Sequence, residues 1–167
     1  MRILSFLTIA MLFFGGPVTA DPMADLQRTN ELNSYLREGD LEQAYLTAIQ
    51  FDDVSLRNGW LSNIASVAVR TNEFSTGREV ISSISDQELS DSWYANVVLA
   101  ALNSGDLDVA SEVVLDIVDE ELRDAALANI ALRAASSKQC EMASGAVAGM
   151  ADSALSASYE SLMNLYC

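Results

Sequence analysis

The sequence predicts an all-α fold, an α-solenoid of 33-residue helix-turn-helix repeats with a C-terminal capping helix. Three observations predict it. First, like residues recur at one spacing of 33: Asp53, Asp86, Asp119 and Asp152; Leu56, Leu89, Leu122 and Leu155; Asn30, Asn63, Asn96 and Asn129; and the small Ala44, Gly77, Ala110 and Ala143. Leu41, Phe74, Leu107 and Cys140 form an apolar column, as do Phe51, Ile84, Ile117 and Met150. Second, each period holds two helical stripes at steps of three and four, such as 41, 44, 48, 51 and then Trp60, Ile64, Val67, Ala68. Third, no stretch alternates like a strand, and Pro stands only at 17 and 22.

In chain order, residues 1–20 read as a signal peptide. Arg2 gives the positive start, Ile3 to Phe14 the apolar run, and Val18-Thr19-Ala20 the small residues before cleavage at Asp21. That run falls short of the roughly 20 apolar residues a bilayer span needs. Residues 21–167 form one domain of 147 residues, enough for a core. Helices are expected near 24–37, 40–51, 54–70, 73–84, 87–103, 106–117, 120–136, 139–150 and 153–167. These make four hairpins and a closing helix, each hairpin burying its stripe against its neighbours. The Asp column precedes the longer helices, where a carboxylate caps orphan N–H groups. The other junction reads Gly39-Asp40, Asn72-Glu73, Gly105-Asp106 and Lys138-Gln139. Gly or Asn there suits a left-handed helix terminator, and Lys138 breaks the pattern.

Gly39-Asp40-Leu41-Glu42-Gln43-Ala44 and Gly105-Asp106-Leu107-Asp108-Val109-Ala110 resemble the turn joining helices A and B of tetratricopeptide repeats. The resemblance spans about residues 24–167. It aligns Asn63-Ile64-Ala65 with part of that family's helix A, and matches the closing helix to its capping helix. The period of 33, and an Asp column where the family usually has Pro, depart from it, so another α-solenoid such as a HEAT-like array remains open.

Composition bears on the partner. Once Arg2 is removed with the signal, eight basic residues face twenty-four acidic ones, a net charge of −16. Such a field disfavours nucleic acid and anionic membranes and favours solubility or basic partners. There is one lysine, Lys138, and no histidine. Without histidine the commonest acid–base group is missing, and no nucleophile–base pair stands out, so the reading is not an enzyme. Asp52-Asp53 and Asp119-Glu120-Glu121 fall at recurring turns, where capping explains them. Asp116, Asp119, Glu120 and Glu121 lack the spacing of a calcium loop. No cofactor or metal is expected.

The expected role is an exported protein–protein interaction module, periplasmic or secreted, binding a protein or peptide with no membrane insertion. Cys140 and Cys167 are expected to form a disulfide. They occupy core-facing columns at the start of one helix and the end of its antiparallel successor, in an oxidising compartment. By the resemblance, Asn30, Asn63, Asn96 and Asn129 face the concave groove. Their amides would pair with the main chain of an extended segment, whatever its sequence. The resemblance places Thr29, Ser62, Ala95, Ala128 and Asn33, Ser66, Leu99, Leu132 beside them, all uncharged. Two alternatives stay open: asparagines that only fix repeat stacking, and an assembly subunit that meets a complex through its acidic outer surface.

Overall fold

Carboxylates open the long helices. The side chains of Asp53, Asp86, Asp119 and Asp152 accept the backbone N–H of Leu56, Leu89, Leu122 and Leu155 at 2.8–3.1 Å. Each satisfies a donor that the first helical turn leaves orphaned. In the computed structural model, which describes residues 22–167, the chain is all-helical, with no strand among the described residues. The expected signal peptide, 1–20, lies outside the described residues.

The elements are α1 (Pro22–Glu38), α2 (Leu41–Ala48), α3 (Val54–Thr71), α4 (Phe74–Ser82), α5 (Gln87–Ser104), α6 (Leu107–Val113) with a 3-10 turn (Val114–Asp116), α7 (Glu120–Ser136), α8 (Cys140–Ala148) and α9 (Ser153–Tyr166). Each odd-numbered helix from α1 to α7 pairs with the short helix that follows it. The long helices also pack in series, α3 on α5, α5 on α7 and α7 on α9. Between the two rows lies one core running from Leu32 to Met163.

Four left-handed residues turn each long helix into its short partner: Gly39 (φ 77°), Asn72 (φ 60°), Gly105 (φ 85°) and Lys138 (φ 63°). The next N–H in each case reaches back to the last turn, Asp40 to Tyr35 O, Glu73 to Ala68 O, Asp106 to Ala101 O and Gln139 to Ala134 O, at 2.8–2.9 Å. Lys138 therefore adopts the conformation its residue type disfavours. The departure expected at this junction is one of residue type and not of geometry. Asp40 and Asp106 cap α2 and α6, whereas Glu73 and Gln139 make no side-chain cap.

The short helices end two to four residues before their expected limits, with the 3-10 turn taking up most of the gap after α6. Phe51, Ile84, Ile117 and Met150 are buried as their column requires, but they lie in the links beyond the helix ends. Ile117 is extended (φ −73°, ψ 119°) and 1% exposed. The apolar rhythm runs past the helix because the link is itself an anchor in the core.

Candidate binding site

Asn30, Asn63, Asn96 and Asn129 stand one per long helix on α1, α3, α5 and α7, and all four are exposed. None of their amides hydrogen-bonds another described residue. The flanking positions grade along the row. Asn33 is exposed and donates to Thr29 O at 2.9 Å, Ser66 is half-buried, and Leu99 and Leu132 are 52% and 39% exposed. Ala128 is buried. On α3, Ser62 Oγ and Trp60 Nε1 are buried with no partner among the described residues.

Asn129 lines a cleft of about 800 Å³ between α7 and α9, with Ala125, Leu155 and Tyr159 on its walls and Glu121 and Asp152 toward the helix starts. Residues 33 earlier bound a smaller cleft of about 560 Å³ between α5 and α7, including Glu88, Ser92 and Leu122.

A second polar column went unread in the sequence. Asp91 is 3% exposed and its two oxygens accept from Val118 N (3.0 Å) and Asp119 N (2.9 Å). Asp124, 4% exposed, accepts from Ala151 N (2.9 Å) and Asp152 N (2.8 Å) in the same manner. Asn58 uses Oδ1 for Ser85 N and Ser85 Oγ. Each holds the link that begins the next long helix. Asp25, 33 residues before Asn58, is ion-paired with Arg28 at 2.8 Å. The spacing was the available signal, but these positions fall inside a helix, where acidic residues usually face water.

Polar contacts also join successive short helices. Tyr45 Oη and Ser83 Oγ lie 2.8 Å apart. One period later, Arg78 donates Nη2 to Asp116 Oδ1 at 3.0 Å, and Nε to Oδ2. This bond to Asp116 holds the Arg78 guanidinium above its ordinary pKa. Burial, then Asp116, raises the Tyr94 phenol above its own. These side chains border a cleft of about 430 Å³ between α4 and α6.

Cys140 and Cys167 are joined, their Cα atoms 5.6 Å apart. Cys140 is half-buried and Cys167 exposed, so the bridge sits at the core's edge and not within it. The expectation that both columns face inward fails at Cys167, which no described element covers. Among the described residues no cluster of carboxylates or thiols is placed to hold a metal, and no helix is long and apolar enough to cross a membrane. Comparison with protein-family models, curated proteins and solved structures finds no match to the chain.

Proposed function

We propose that this chain is an exported tetratricopeptide-like α-solenoid of 33-residue repeats that holds an extended, largely uncharged protein segment along its long helices. The observation that carries the reading is the row of four exposed, unbonded asparagine amides at one spacing. Asparagines serving only repeat stacking would bond the neighbouring helix, and no such bond is present among the described residues. A free side-chain amide both donates and accepts, which suits a peptide main chain. The uncharged flanking positions favour a segment without strong charge, and the apolar Leu99 and Leu132 suit its apolar side chains.

The test begins with chemical crosslinking and pulldown from the native exported fraction using the processed chain. Asn63→Ala combined with Asn96→Ala should then weaken capture about tenfold or more, as loss of several hydrogen bonds implies, at an unchanged melting temperature. Undiminished capture with a lowered melting temperature would make these asparagines structural. Loss of capture on charge reversal of exposed acidic residues of the short helices, with the asparagine variant still binding, would favour the assembly-subunit reading.

A further inference from the structure

The contact that joins successive short helices changes character along the chain. Tyr45 meets Ser83, and Arg78 meets Asp116. The next pair by position is Ser111 and Gly149. Gly149 offers no side chain, and Ser111 Oγ is buried without a partner among the described residues. Other equivalent positions shrink in step: Tyr94 becomes Leu127 and Glu112 becomes Gly145. The cleft between α6 and α8 accordingly opens to about 770 Å³, against about 430 Å³ one period earlier.

Backbone geometry does not require these glycines. Neither has a positive φ. A Cβ on Gly145 would meet nothing within 4 Å, and one on Gly149 would make only ordinary contacts, the nearest at 3.5 Å. Gly145 lies inside α8, where glycine destabilises a helix relative to alanine, and Gly149 follows the helix as its C-cap, so α8 bears a cost at Gly145 that its own packing does not explain. Val114, Leu115, Leu127, Ile130 and Met142 give the cleft apolar walls, and its volume lies in the range of small-molecule sites.

Charge narrows the occupant. The lining carries Arg123 and Lys138 against Glu141, whereas the α4/α6, α5/α7 and α7/α9 clefts are each net negative. The two cations sit apart. Asp124 bonds to Ala151 and Asp152, which sets the end of α8 beside the first turns of α7, so Gly149 and Arg123 share one end. Arg123 spends one N–H on Ile117 O at 3.2 Å and lies 4.0 Å from Glu120, leaving further donors. At the other end Lys138 Nζ is bonded to Tyr166 O at 2.8 Å and is three residues from Glu141.

We propose that this cleft binds a small amphiphilic monocarboxylate, its alkyl or aryl body between α6 and α8 and its carboxylate on Ser111 Oγ and the Arg123 guanidinium. None of the asparagines lines this cleft, so the inference does not rest on the peptide reading. The probes are decanoate, decanol and decyltrimethylammonium, titrated calorimetrically into the processed, disulfide-bonded chain below their micellar concentrations. Decanoate should bind saturably at one site and more tightly than either of the others. Ser111→Ala removes an unsatisfied buried hydroxyl, so the melting temperature should hold or rise while decanoate binds about tenfold more weakly. Ser111→Arg with Gly149→Asp copies the Arg78–Asp116 contact into the cleft and should abolish binding in a folded chain. Equal binding of the three probes, no saturable binding, or full binding by either folded variant would overturn the proposal.

Discussion

A single buried carboxyl side chain does the joining at each of two links. Asp124 lies within α7 yet holds the chain segment that starts α9, and Asp91 does the same between α5 and α7. Replacing Asp124 by Ala would remove both bonds to the N–H groups of Ala151 and Asp152, exposed residues whose donors water can reach, so each lost bond costs about 0.5–1.5 kcal/mol. Asp124→Ala is therefore expected to lower stability by about 1–3 kcal/mol in urea unfolding. Asp124→Asn, which keeps an accepting oxygen as Asn58 does, should cost less. A loss under about 0.5 kcal/mol, the scale of ordinary surface changes, would show that the link holds without this residue. This role was not legible in the sequence, because a mid-helix acid looks like a solvated one until the following link is seen to fold over it. Asp53 and its equivalents were legible, because an N-cap acts on residues only three positions away.

At the scale of the element, helix identity was legible and helix ends were less so. The stripes place every helix, but Phe51, Ile84, Ile117 and Met150 carried the short helices too far, since burial alone does not separate a helix from an anchored link. Lys138 hid a left-handed turn that Gly39, Asn72 and Gly105 announce. The closing helix is lightly buried, with Leu155, Tyr159 and Leu162 only partly covered by the core, so its bridge is expected to contribute to holding it. Met163 is the one buried residue of α9, and Gly145 weakens the helix next to it. The Cys140–Cys167 bridge closes 27 residues, which in the chain-entropy account stabilises by about 3–4 kcal/mol. With Cys167 exposed, a mild reductant has access. Reduction should lower the melting temperature by several degrees and release amide hydrogen-exchange protection first across 153–166. Uniform protection and an unmoved melting temperature after complete reduction would mean that packing alone retains α9.

Over the whole molecule, the sequence was legible where columns agree and illegible where they differ. Four like asparagines are visible as a row, whereas the α6/α8 cleft arises because Ser111, Leu127, Gly145 and Gly149 stand where larger groups stood one period before. Volume left empty has no signature until helices are placed around it. Charge is a property of the whole chain as well, and a net −15 must be held in one fold. The ion pairs of the described residues involve only Arg28, Arg78 and Arg123, so most carboxylates have no cationic partner. Their mutual repulsion acts against the folded state, and salt screens it, the Debye length falling from about 30 Å at 0.01 M to about 3 Å at 1 M. Screening also weakens the Arg78–Asp116 pair, but that pair is partly shielded and bidentate, and repulsion is spread over many more groups. The melting temperature should therefore rise by a few degrees as sodium chloride is raised across that range, about 1 kcal/mol in a chain of this size. Chloride is the suitable anion, because sulfate would stabilise by exclusion from any protein surface. A melting temperature that falls with sodium chloride would mean that the few ion pairs outweigh the repulsion of the unpaired carboxylates.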